Sequence, residues 1–187
     1  MKNLLILLVF LAMAACDNSL SEKEKQEYAN KGNEISQASF KALSEKLTEQ
    51  MKLGGPAKAI PFCNVEAIPL TQQLSEEYKV TIKRTSDKLR NQENKPSERE
   101  LEIINNFHKL ISGKKEITPI VEVDSNNNKH YYAPITVKAN CLACHGEVDE
   151  FVSIKTDSII KSLYPNDKAI GYNEGDLRGI WSIEFKK

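Results

Sequence analysis

The sequence predicts an α+β domain, and three observations predict it. A long stretch near residues 21–51 carries apolar side chains with a period close to 3.6. Two alternating, β-branched runs flank an asparagine-rich turn around residue 126, and another alternating run closes the chain. Helices in front and a small antiparallel sheet behind give the α+β class.

Taken in order, the chain opens on Met1-Lys2-Asn3, an apolar run from Leu4 to Leu11, and small residues leading to Cys16. Basic, apolar and small residues in that order read as a secretory signal, and the apolar run is shorter than the about 20 residues a spanning helix needs. Cys16 sits where bacterial lipoprotein signals are cut and acylated, and the segment resembles a loose lipobox with Met13 where leucine is usual; the alternative is a plain secretory signal with an incidental cysteine. The expected division is a signal peptide over 1–15, a lipidated polar tether over 16–26 and one domain over 27–187. The protein is thus expected in the periplasm or cell envelope, held to a membrane by its N-terminal lipid. Cleavage leaves 172 residues with 25 basic and 26 acidic side chains, a balance that excludes the basic footprint of a nucleic-acid partner.

Tyr28, Ile35, Leu43, Leu47 and Met51 define the first helix, ended by Gly54-Gly55-Pro56. A second helix is expected over Phe62 to Tyr78, interrupted or restarted near Pro69. Val80 to Thr85 alternates as a strand. Ser97, with Glu100 three residues later, caps a helix carrying Leu101, Ile104, Phe107, Leu110 and Ile111 on one side. Strands Ile117 to Val123 and His130 to Val137 are joined by the turn Asp124 to Asn128. A short helix from Ile154 to Leu163, a loop from Pro165 to Gly179 and a strand from Ile180 to Phe185 follow.

Between hairpin and short helix lies Cys141-Leu142-Ala143-Cys144-His145, the C-x-x-C-H signature of c-type haem attachment. Two thiols two residues apart match two vinyl groups on one porphyrin edge, and the next residue falls beneath the ring as proximal iron ligand. One covalent haem c is expected, bound through Cys141 and Cys144 with His145 on iron. Rival uses of the same residues are a disulfide, a thioredoxin-like redox pair, and structural zinc held by Cys63, Cys141, Cys144 and one of His108, His130 or His145. Candidates for the opposite face of the iron are Met51, His108, His130 and Cys63. Met51 lies in line with the apolar face of the first helix, His108 reads as a surface or half-buried histidine, and His130 as a solvent residue. Cys63 is an unpaired thiol in an oxidising compartment, and ligation would both deprotonate and protect it.

Three segments resemble a family of exported haem-binding domains of unassigned function with a PAS-like fold, found alone in a cyanobacterial cytochrome and as sensor portions of bacterial membrane signalling proteins. They are Ala59-Ile60-Pro61-Phe62-Cys63, Lys83 to Asn91, and Cys141 to Gly146 followed by Leu163-Tyr164-Pro165 and Gly171 to Gly179. The resemblance implies a PAS-like antiparallel sheet with a long N-terminal helix and covering helices. It also implies that His145 is proximal ligand and Cys63 the distal one. Pro61 and Pro69 flank Cys63, and a displaced second helix would leave the iron five-coordinate. Arg84, Arg90 and Arg178 fall in the recurrent segments. Each suits a haem propionate or, alternatively, a surface ion pair or loop anchor.

A thiolate opposite histidine favours ferric iron and a low potential. The expected function is a redox or small-ligand sensing module in which Cys63 departs on reduction, with low-potential electron transfer as the alternative. The chain contains no kinase, methyl-accepting or DNA-binding segment, so a sensor would work through a separate signalling or redox partner protein. No catalytic residue is assigned and no enzyme is expected; a peroxidase would need a distal pair such as Arg84 with His108.

Overall fold

The structure is a computed structural model that describes residues 19–186. The expected signal peptide and Cys16 lie outside the described residues. Helix α1 spans Glu22–Gly54, started by Ser21, whose side chain and backbone exchange hydrogen bonds with Glu24 in a capping box. It therefore begins inside the stretch expected to be tether: Glu22 to Gln26 already forms exposed helical turns, because the cap satisfies the first free amides. Helix α2 spans Pro56–Tyr78 without a break. This corrects the expected interruption near Pro69. Pro56 takes the first helical position, where a missing amide costs nothing. Pro61 and Pro69 both lie on the exposed side, and the buried positions Ala59, Ile60, Thr71 and Leu74 hold the helix against its neighbours.

Strand β1 is Val80–Thr85. Helix α3, Glu98–Ser112, carries the predicted Ser97–Glu100 capping box. Its buried side is Ile103, Ile104 and Phe107, whereas Leu101, expected on that side, is exposed. Strands β2, Ile120–Val123, and β3, Lys129–Thr136, form the expected hairpin. Helix α4, Leu142–His145, is a single turn, α5 spans Ile154–Leu163, and β4 spans Leu177–Phe185. The last strand starts three residues earlier than its alternation suggests, because a register shift at Ile135/Thr136 lets Leu177 pair with Thr136.

The sheet is antiparallel throughout, in the order β1-β4-β3-β2. Pro134 fits within it because β2 ends opposite Tyr132, leaving β3 one neighbour at that point. Alternation sends Tyr131, Trp181, Ile183, Phe185, Val80 and Ile82 to one face, under Ile35 of α1 and Leu74 of α2. Tyr132 and Ile180 face the other way and pack on Ile103, Ile104 and Phe107 of α3. The result is the α+β, PAS-like sheet with a long first helix and covering helices on both faces. Among the described residues no helix is long and apolar enough to cross a membrane.

Candidate haem site

The candidate site lies where α2, the end of β1, α4 and the loop before β4 meet. On α2 the inward positions run Ala59, Ile60, Cys63, Ala67, Leu70 and Thr71, the three-and-four spacing of one helix face. Cys63 is thus brought inward by the same repeat that buries Ile60. On β1, Val80 and Ile82 put apolar side chains on the α2 side. The next residue of that alternation is Arg84, a guanidinium where a third apolar group would continue the core. It sits over Trp181, its cross-strand partner, with the guanidinium carbon 5.7 Å from the ring centroid.

Cys141 ends a 3-10 turn and Cys144 lies three residues on in α4. The backbone N–H of Lys138 donates to Cys141 Sγ at 3.4 Å. The two thiols border different apolar clusters. Cys144 packs on Ile60, Val152, Ile160 and Tyr164, and Cys141 on Val137, Leu142, Ala169 and Tyr172. Phe151 closes over Gly146, where a β-carbon would come within 2.7 Å of the phenylalanine Cβ.

His145 is held by its ring: Nδ1 lies 2.7 Å from the Ala169 carbonyl oxygen, so it carries the proton and donates. The lone pair of Nε2 is then the ring's free acceptor. Burial pushes the imidazole well below the usual histidine range, and Arg178 and Arg90 push the same way. Cys63, Arg84, Cys144, His145 and Arg178 are all partly accessible, although burial is the first cause of the shift at each. Burial raises the Cys63 thiol, opposed by Arg84 and Arg90. Burial likewise raises Cys144, with Arg90 opposing and Cys63 and Cys141 adding to the rise.

The three predicted arginines diverge. Arg90 is a loop anchor: Nε and Nη2 grip Asp167 Oδ1 and Oδ2 at 3.2 and 3.1 Å, and Nη2 also donates to the carbonyls of Cys144 and Ala169. Arg178 donates from Nη1 to the Lys88 carbonyl at 3.4 Å and lies over Tyr172, but its Nε is buried without a hydrogen-bond partner. Among the described residues neither Arg84 nor Arg178 has a carboxylate partner. One carboxylate against three guanidinium groups leaves the site with two uncompensated positive charges.

The other sequence candidates fall elsewhere. His108 pairs with Asp87 at 3.2 Å, and Met51 is half-buried on α1. His130, expected in solvent, is half-buried, bonded to Asp124 at 3.2 Å and stacked on Tyr132, because the turn folds Asp124 back over the strand. Among the described residues no three His, Cys, Asp or Glu side chains are grouped to hold a metal ion, so the four-ligand zinc set is not assembled.

Over residues 11–185 the sequence matches the Tll0287-like family. The chain belongs to that family. Among solved structures it is similar to the cyanobacterial heme-protein Tll0287, with a TM-score of 0.61 and 20% identity, covering 88% of this chain and 95% of that one. The match bears out the resemblance read from the segments around Cys63, Lys83–Asn91, Cys141–Gly146 and Gly171–Gly179. No curated protein matches the chain. Within this Tll0287-like fold, sequence reasoning missed Asp167 and Ala169. Asp167 is one acid among several in a polar loop, and Ala169 acts through its carbonyl, which no residue type announces. Tyr172, whose ring meets His145 edge-on at 6.2 Å and 89°, did lie in a segment that carried the resemblance.

Proposed function

We propose that the protein is an exported, lipid-anchored c-type haem protein working as a redox or small-ligand sensing module. Cys141 and Cys144 would carry one covalent haem, with His145 and Cys63 as axial ligands. The observation that carries the reading is the state of His145. Within a C-x-x-C-H motif its Nδ1–H is committed to a backbone carbonyl, its ring is neutral, and Nε2 is free to bind a metal. The remaining residues fit the group. Two guanidinium groups without a carboxylate partner among the described residues, Arg84 and Arg178, match the two propionates of a haem, and the thiols of Cys141 and Cys144 border two apolar clusters. The description of Tll0287 as a heme-protein accords with this.

Bound there, haem supplies a one-electron couple and an iron able to take a small ligand. The chain's own residues do the rest. Continuous α2 keeps Cys63 on the side of the site, and Arg84 and Arg90 favour its thiolate. Desolvation favours the neutral thiol, so the two influences are opposed at Cys63. Burial is the larger of the two, so Cys63 would be a weakly held ligand to a haem iron, suited to a sensing role.

Electron transfer is the second reading. Phe151 and Ile154 favour it, since both are exposed, Phe151 packs on Gly146 just after the motif, and exposed apolar groups offer a redox partner a place to dock.

The test is the full chain produced with export and haem-maturation machinery. Unfolded polypeptide should retain its porphyrin, and the absence of retained porphyrin would remove the reading. Ferric and ferrous spectra with and without CO then separate the two roles. CO binding only after reduction supports sensing, and a ferrous form indifferent to CO supports electron transfer. A Cys63→Ala variant should change the ferric spectrum; an unchanged one would eliminate the thiolate.

A further inference from the structure

We propose that Arg90 and Asp167 are positioning residues for His145, acting through the Ala169 carbonyl to set where the imidazole points and how strongly it donates. The proposal rests on the haem-binding reading above.

The Ala169 carbonyl accepts two hydrogen bonds, from His145 Nδ1 at 2.7 Å and from Arg90 Nη2 at 3.1 Å. The amide of the same residue donates to Asp167 Oδ1 at 2.9 Å, an oxygen that also accepts from Arg90 Nε. Arg90 Nη2 further holds the Cys144 carbonyl at 2.7 Å, one residue before His145. One guanidinium therefore grips both the segment that carries the imidazole and the carbonyl that orients it. The ion pair is buried, with side chains 13% and 4% exposed. Backbone bonds tie the same loop down: Tyr172 N–H donates to the His145 carbonyl, Gly171 N–H to that of Gly146, and Lys168 N–H to that of Leu89.

The chemistry follows from the shared oxygen. A histidine whose distal N–H is bonded to a carbonyl becomes a stronger donor at its other nitrogen. A cation on the same oxygen draws density away from it and weakens that effect. Arg90 thus restrains the donor strength of His145, and Asp167 partly offsets the restraint by sharing the positive charge.

Two variants of the haem-loaded full chain give opposite signs. Asp167→Asn keeps the shape and the two bonds accepted by Oδ1, gives up the one from Arg90 Nη2, and leaves the guanidinium uncompensated, so His145 donates less and the midpoint potential rises. Arg90→Met combined with Asp167→Asn removes the cation without burying a lone charge. The His145 bond to Ala169 then strengthens, and the potential falls below native. Each shift should reach about a tenfold change in the ferrous-to-ferric ratio at fixed poise, about 59 mV for a one-electron couple. A merely structural role would loosen the site in both variants and move both potentials the same way. Unmoved potentials, or shifts of one sign, overturn the proposal while covalent haem in the native chain leaves the haem reading standing. A native chain without retained haem removes both.

Discussion

Asp124 shows at the scale of one residue how a turn is fixed by a single carboxylate. It accepts backbone N–H groups from Asn126 and Asn128, the Asn128 amide, and meets His130 Nε2 at 3.2 Å. The Asn128 backbone bond is the main cause of a carboxyl held down to about 2, with burial opposing and His130 assisting. The sign follows from proton binding. In the unfolded chain the group takes up a proton near 3.8, while the folded turn resists until about 2. Its stabilisation is therefore complete above about pH 4 and lost as the pH falls through that window. Asp124→Asn should lower the melting temperature at pH 6 and converge with native near pH 2. A constant offset across that range would contradict the assignment.

At the scale of the element, helix α1 rests on the sheet through a glycine. A β-carbon at Gly32 would meet the Tyr131 ring at 2.2 to 2.6 Å, closer than any real contact allows. Tyr131 is 1% exposed at the centre of the cluster beneath α1 and α2, so it has nowhere to move. Alanine favours the helix by about 1 kcal/mol over glycine, whereas forced overpacking costs about 1–3 kcal/mol. The approach here is close enough to put the cost at the upper end. Gly32→Ala should therefore destabilise by about 2 kcal/mol, a fall of about 4–8 °C in a domain of this size. A melting temperature at or above native would show that the helix shifts freely on the sheet.

The whole molecule carries its electrostatic imbalance in one place. The chain as a whole has 26 basic and 26 acidic residues, yet the site gathers three guanidinium groups around a single carboxylate. Burial pulls both Arg84 and Arg178 below the usual arginine range; Arg178 pulls Arg84 further down, and Arg90 does the same to Arg178. Desolvated and without a carboxylate partner among the described residues, Arg84 and Arg178 cost the fold stability rather than supply it. Arg178→Met removes the cation whose Nε is buried without a partner. In chain made without maturation machinery it should raise the melting temperature by about 2–4 °C, equivalent to about 1 kcal/mol. In haem-loaded chain the same variant should show no gain if Arg178 holds a propionate as proposed, because that contact would then be lost. A gain of equal size in both forms would count against Arg178 as a propionate contact.

Much of this architecture was determined within short stretches of the chain. The alternation of Val80–Thr85, the Ser97–Glu100 cap, the Asp124–Asn128 turn and the Cys141–His145 spacing each depend on neighbours a few residues apart, and the sequence alone settled them. Cys63 was legible as the cysteine left without a pairing and from the segment that carried the family resemblance. Tertiary structure decided what depends on distant partners. Packing of Ala59, Ile60 and Leu74 keeps α2 whole through Pro69, where local propensity argues for a break. The register of β3 against β4 starts the last strand at Leu177. Arg90 meets Asp167 across 77 residues, and Ala169 reaches His145 through a carbonyl that any residue would carry. Such long-range pairings leave no periodic trace, so the loop-anchor role of Arg90 belonged to the fold.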